Sequence, residues 1–211
     1  MSINILVLVS ILVSILLSMT VHEAMHAYVA YWLGDDTAKL LGRLSLNPFV
    51  HIDLFTTILM PILLAIAGLP PFGAAKPVPF NPYKVRYGEY GAALVGVSGP
   101  MTNLLLAMFA GGAMRLLQIT SGTSYTIIGT FVIVNLSFFV FNMIPYPPLD
   151  GSRLLYAFAP DGLRKVMRMI EQAGLISLLL FMLVAFSFIA PVIGKAVVVL
   201  WNLIVGQPLV I

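Results

Sequence analysis

The stretch His22-Glu23-Ala24-Met25-His26 has the residue types and spacing of a metal site. Residues four apart on a helix share a face, so His22 and His26 can grip one ion. Glu23 lies beside them, where a carboxylate can act on a metal-activated water. The flanking sequence sharpens the reading. Ile3 to Met19 carry no charge, and the same apolar helix is expected to continue to about Leu33. Two imidazoles and a carboxylate at that depth are costly unless something binds them.

Catalytic zinc takes about three protein ligands and keeps one position open. The chain has no cysteine, so the ligands must come from His, Asp, Glu, Asn or water. Candidates for the third are His51, Asp53, Glu89, Asp150, Asp35 and Asp36. Asp35 and Asp36 flank the end of the first span, where acidic residues in water need no special reason. Glu89 suits a helix N-terminus. Asp150 differs, because it follows an apolar helix in the break Pro145-Tyr146-Pro147-Pro148-Leu149-Asp150-Gly151. Irregular backbone at membrane depth must be buried in protein or line a wet cavity. A carboxylate there is a functional candidate.

The elements that must position these groups are membrane helices. Of 211 residues, 60% are hydrophobic and 9% charged, which excludes an ordinary soluble domain. The expected fold is an all-α polytopic membrane protein of about five to six transmembrane helices, with a re-entrant or extended segment after the first. The N-terminal apolar run lacks a basic n-region and reads as a retained first span. Lys39 to Asp53 reads as extended structure or turns. Leu54 to Leu69 is apolar but short, and Phe72 to Glu89 is a loop rich in Pro and Gly. Tyr90 to Leu117 is a span with small residues crowded into its first half, and Tyr125 to Met143 is another. Asp161 to Gln172 reads as a charged helix, Ala173 to Ala190 as a span, and Pro191 to Val205 as a last, short one or as the far half of a helix broken at Pro191. The whole, 1–211, reads as one domain with its core at about 15–155 and accessory helices at 173–205.

Charge separates two membrane paths. If Leu54 to Leu69 crosses, the 11 Lys and Arg residues divide seven against four. If it dips in and returns, Lys39, Arg43, Lys76, Lys84, Arg86, Arg153, Arg164, Lys165 and Arg168 share one side, leaving Arg115 and Lys195 opposite. The positive-inside rule prefers the second path, with the nine in the cytoplasm and Asp150 on the same side as the end of the first span. The basic residues read as topology signals, not as a nucleic-acid patch.

Three separated motifs carry a resemblance: His22-Glu23-x-x-His26, Gly99-Pro100 with Asn103, and Asn142-x-x-Pro145-x-x-x-Leu149-Asp150-Gly151. In order and helical placement they resemble the site-2 protease family of intramembrane zinc metalloproteases. Asn47-Pro48-x-x-His51-Ile52-Asp53 and Ala75-Lys76-Pro77-Val78-Pro79 add a likeness to its minimal prokaryotic branch, without PDZ or CBS domains. The resemblance implies one Zn2+ per chain, held by His22, His26 and Asp150. It implies Glu23 as catalytic base and Asn142 as a catalytic residue holding substrate or the oxyanion. Asn103, His51 and Asp53 are candidates for substrate or outer contacts of the site. The implied partners are a transmembrane protein substrate and the lipid bilayer. The implied location is a prokaryotic cell membrane, with the site nearer the cytoplasmic face. The segment around Lys39 to Asp53 is a candidate edge for an unwound substrate to pair with.

Two other functions fit an intramembrane metal site. A transporter would need polar ligands lining a path across the bilayer, whereas the ionisable residues here cluster at one depth. A catalytically silent relative that binds membrane partners would have no use for an intact His22, Glu23, His26 and Asp150.

Overall fold

The computed structural model describes residues 4–66 and 75–209, except the side chains at 61, 65, 185 and 186. Among the described residues it is all-helical, without a strand. α1 (Ile5–Trp32) begins at Asn4, whose side chain accepts from the Leu6 amide, and ends at Gly34, where φ is +105°. Two one-turn helices follow, α2 (Thr37–Leu40) and α3 (Pro48–His51). The apolar segment is a π-helical stretch, Leu54–Leu59, continued by α4 (Met60–Ile66). The long helices α5 (Glu89–Leu116) and α6 (Gly122–Asn142) come next. α7 (Gly151–Phe158), α8 (Asp161–Gln172) and α9 (Leu175–Val205) complete the chain.

Among the described residues, four helices are long and apolar enough to cross a membrane, or five if α8 and the start of α9 count as one bent span. The expected range of five to six therefore meets the structure only at its lower end. One reason is Pro191, which was expected to separate two spans but lies inside a continuous α9. Lys195 then falls within that helix and not in a loop beyond it. The other reason is length. The two pieces of the apolar segment, six and seven residues, rise no more than about 20 Å, short of a ~30 Å hydrocarbon core.

The re-entrant path has direct support at the ends of that segment. The Lys76 amide donates to the His51 carbonyl at 2.9 Å, so the chain is back where it left. A crossing would hold these two residues a membrane's thickness apart. The end of the expected segment, 67–69, and the turn at 68–71 lie outside the described residues. Asp53 caps the start: its Oδ1 accepts from the Phe55 and Thr56 amides at 3.0 and 2.9 Å and from the Thr56 hydroxyl. Those bonds, the Thr56 amide foremost, hold its carboxyl below the usual carboxylate range. Lys39 to Asp53 forms turns and the two short helices, not extended structure. The stretch at 75–80 has no regular secondary structure.

The bundle has two unlike halves. At the end near Leu117, Ala107 and Met114 of α5, Val132 and Leu136 of α6, and Val197, Trp201 and Val205 of α9 form a buried apolar cluster. Lipid tails are as apolar as these side chains, so close backbone approach must hold the helices together. Gly111 and Gly129 permit it. A Cβ on Gly111 would stand 2.6 Å from Ile204, and one on Gly129 would stand 3.2 Å from Trp201. At the other end the Arg86 amide donates to the Leu33 carbonyl, joining the end of α1 to the start of α5. The nine basic residues grouped above all belong to segments at this second end. Asp35, expected to be solvated, is wholly buried there and accepts from the Asn81 amide and from the Thr37 amide and hydroxyl.

Because the chain has no cysteine, single cysteines report topology without background. Replacing Lys39, just after α1, and Tyr83, which is 96% exposed, should allow labelling by an impermeant maleimide from one and the same side, and replacing Gly122 from the other. A residue-83 cysteine labelled only from the side opposite the residue-39 cysteine would overturn the re-entrant path.

Candidate metal centre

Among the described residues, one group of His, Cys, Asp and Glu side chains has the geometry to hold a metal ion: His22, His26 and Asp150. His22 and His26 lie one turn apart on α1, and their rings stand edge to face with centroids 4.7 Å apart. Their Nε2 atoms are 3.0 Å from each other. Asp150 Oδ2 lies 3.1 Å from the first and 3.4 Å from the second. Ligands at ~2.0–2.1 Å around a tetrahedral zinc lie about 3.3 Å from one another. The three atoms are therefore spaced as three corners of such a site.

The hydrogen-bond network determines which ring atoms carry protons. Asn135 Nδ2 donates to the Phe131 carbonyl of its own helix at 2.9 Å, which turns its Oδ1 toward Asn103. Asn103 Nδ2 donates to that oxygen at 2.9 Å and to the Ser18 carbonyl at 3.3 Å. Asn103 Oδ1 is thus an acceptor, and His22 Nδ1, 2.6 Å away, must bear the hydrogen. His26 Nδ1 donates to the Val95 carbonyl at 2.7 Å. Both Nε2 atoms then present lone pairs inward, facing a carboxylate. A single proton can bridge only two of the three atoms, whereas a divalent cation satisfies all of them. Nitrogen, nitrogen and carboxylate oxygen are also a donor set that zinc accepts.

The sequence permits this crowding through three glycines. A Cβ on Gly99 of α5 would lie 2.4 Å from His26 Nε2 and 2.7 Å from His22 Nε2. A Cβ on Gly96 would lie 2.6 Å from Arg153 Cβ, and one on Gly151 would lie 2.4 Å from the Met143 carbonyl oxygen. The Pro-rich break that carries Asp150 is braced by α9. The Tyr146 ring stacks on Phe181 at 4.2 Å, and its hydroxyl donates to the Ser177 carbonyl. The two imidazoles are 7% and 9% exposed, while the Asp150 side chain is 24% exposed. The open side of the centre is therefore the carboxylate side, where a ligand position can stay free.

The other candidates fall at different distances from the cluster. Glu23 is not part of it; its Oε2 accepts from the Val78 amide at 3.0 Å. Asn142 donates to the Phe138 carbonyl one turn back. Asn103 joins the cluster through His22. His51 is wholly buried in the turn beside the re-entrant segment, with Nε2 donating to the Ser45 carbonyl at 2.8 Å. Asp53 is the helix cap described above. Asn135 closes the polar chain behind His22, and only its place in a span hinted at that. Arg153, read from sequence as a topology signal, is half-buried. It pairs with Glu171, and its guanidinium lies over the Phe80 and Tyr156 rings at 5.3 and 5.4 Å.

Replacing Asn103 with Leu leaves His22 Nδ1 without its acceptor and releases the tautomer. Zinc affinity measured by chelator competition should fall about ten- to a hundredfold while the helical circular dichroism persists. Gly99→Ala should lower it at least as far, because the methyl group would occupy the place where the lone pairs meet.

Comparison with known proteins agrees with this chemistry. The chain is 40% identical over 166 residues to YwhC of Bacillus subtilis (strain 168), covering 74% of this chain and 72% of that protein. It is 28% identical over 165 residues to Rip2 of Mycobacterium tuberculosis (strain ATCC 25618 / H37Rv), covering 77% of this chain and 62% of that one. Rip2 of Mycolicibacterium smegmatis (strain ATCC 700084 / mc(2)155) is 24% identical over 177 residues, covering 83% and 64%. All three carry the name "Putative zinc metalloprotease", and the chain spans less than two thirds of either Rip2. No family profile and no solved structure matches the chain. With the likeness to YwhC extending over most of both proteins, this chain belongs to the site-2 protease family of zinc metalloproteases.

Proposed function

We propose that this protein is an intramembrane zinc endopeptidase, which hydrolyses peptide bonds in or near the transmembrane segments of other membrane proteins. The observation that carries the reading is the convergence of three lone-pair atoms, from His22, His26 and Asp150, among helices apolar enough to cross a bilayer. A transport path is not favoured, because this is the one such group among the described residues.

In this reading His22 Nε2, His26 Nε2 and Asp150 Oδ2 hold one zinc ion. Such an ion supplies Lewis acidity, which eases deprotonation of water and attack on a peptide carbonyl. Glu23 follows His22 directly and takes the water proton on its carboxylate, then returns it to the leaving amine nitrogen. The second N–H of the Asn142 amide has no partner among the described residues, and we assign it to the developing oxyanion. Asn103 and Asn135 keep His22 in the tautomer that offers Nε2. The substrate must unwind near the cut, because helical backbone has its carbonyls hydrogen-bonded and shielded. The grouping of nine basic residues at the site's end of the bundle supports a reading in which that end faces the cytoplasm from a prokaryotic cell membrane. Water would then enter from that side.

Co-expression with single-span membrane proteins tests the assignment. Glu23→Gln should keep bound zinc and lower cleavage by about a hundredfold or more. Chelation of the metal should abolish cleavage, and added Zn2+ should restore it. Cleavage that survives Glu23→Gln would refute the proposed base.

A further inference from the structure

The proposed reaction gives no part to the motifs Asn47-Pro48-x-x-His51-Ile52-Asp53 and Ala75-Lys76-Pro77-Val78-Pro79. They are the two ends of the re-entrant segment, tied together by the Lys76 N–H to His51 carbonyl bond of 2.9 Å. The first motif is a rigid platform. The His51 ring is wholly buried and donates to Ser45, Asn47 Oδ1 accepts from the Phe49 amide at 3.1 Å, and the Arg43 guanidinium donates to the Val50 carbonyl. From Lys76 the chain passes over α1 as a strap. Val78 is buried against Ala27, which is one turn beyond Glu23, and against Ala38 and Leu44. Past Val78, the Phe80 ring lies under the Arg153 guanidinium, and the Asn81 amide donates to Asp35. The strap is therefore held on both sides of Val78.

The strap's composition narrows what it can do. Pro77 and Pro79 have no N–H, and each holds φ near −65°. Proline biases the residue before it toward extended backbone, and Lys76 and Val78 each precede one. Val78 is consequently the sole main-chain donor between Lys76 and Phe80, on a stiff support. That donor meets Glu23 Oε2 at 3.0 Å. Among the described residues no other hydrogen bond reaches this carboxylate, so Oε1 stays available.

We propose that the two motifs form one clasp that positions Glu23, with Val78 acting as a positioning residue through its main-chain amide. The inference rests on the reading of Glu23 as the base. Binding Oε2 holds the carboxylate in one orientation and leaves Oε1 to receive the proton. A side chain held in place before reaction needs no reorganisation during it.

Two substitutions separate the amide from the side chain. Val78→Pro removes the N–H and joins the two flanking prolines, Pro77 and Pro79. Val78→Ala trims the buried side chain and keeps the N–H. Val78→Pro should lower kcat about ten- to a hundredfold, with KM and zinc content unchanged. Val78→Ala should retain most of the turnover that Val78→Pro loses. Equal losses in the two variants, or parental turnover in Val78→Pro, would overturn the clasp. A second readout needs no cleavage. The Val78 amide proton, followed by NMR in the zinc-loaded protein, should move upfield in Glu23→Ala, because a carboxylate acceptor is lost. An unmoved signal overturns the clasp whatever the activity. A moved signal in a protein without Glu23-dependent cleavage keeps the clasp and strikes out the proteolytic reading.

Discussion

Three lone pairs pointed at one place among apolar helices are the constraint on which the rest of this structure depends. Two imidazole nitrogens and a carboxylate oxygen within 3.0–3.4 Å repel one another unless a cation lies between them. Away from water that repulsion is little screened. Keeping the atoms together requires that each be aimed from behind. His26 is aimed by the Val95 carbonyl, His22 by Asn103, and Asp150 by the turn that Gly151 closes against Met143. These supports come from α5 and from the chain after α6. The bundle can be viewed as a means of bringing a second and a third element against one face of α1.

The polar relay behind His22 shows how membrane helices carry such information. Orientation begins at a main-chain carbonyl, Phe131, and passes through Asn135 and Asn103 to the ring. Both amides are wholly buried, so neither can exchange its partners for water. Among the described residues, the far half is packed chiefly by apolar side chains, with Gln207 linking Trp201 to the Ile119 carbonyl. Trp201, Leu136 and Val132 pack there around small residues, and the far half holds the helices at the spacing the polar half requires.

At the site's end of the bundle, loops are made stiff by specific contacts. Arg153 follows Asp150 by three residues and joins the strap to α8 through Phe80, Tyr156 and Glu171. Tyr156 donates to Glu171 at 3.0 Å, and burial together with that carboxylate pushes its hydroxyl up to about 12. It therefore stays a donor at any physiological pH. α8 turns 98° from the start of α9 and is tied to α7 through Glu171, which pairs with Arg153 and accepts from Tyr156. Asp35 anchors the strap from the other side. Irregular backbone near the membrane is tolerated here because these side chains and the short helices satisfy its polar groups.

The pairing of His22 with His26 was legible because helix periodicity alone puts residues four apart on one face, and no tertiary contact can undo that. The membrane class was legible from composition, since a chain with 9% charged residues cannot cover a soluble surface. Asp150 could be placed beside residues 128 positions away because a bilayer has only two sides, which turns a count of Lys and Arg into a distance constraint. Other features were hidden for definite reasons. Asp35 and Asp36 are adjacent in sequence, yet one is buried under Asn81 and the other is exposed and paired with Lys84; only the path of a distant loop distinguishes them. Pro191 does not mark a break, because a proline costs a helix one hydrogen bond and packing against α5 and α6 can carry that loss. Lys39 to Asp53 could be read as extended structure or turns, because its alternation of polar residues does not choose between them; Asn47 and Gly42 impose the turns. The Val78 contact had no signature, since every residue except proline has the same N–H. Sequence determined which side chains could do chemistry and that His22 and His26 share a helix face. Tertiary structure alone decided which main-chain groups aim them, because main-chain donors and acceptors are identical in every residue and are distinguished only by where the chain runs.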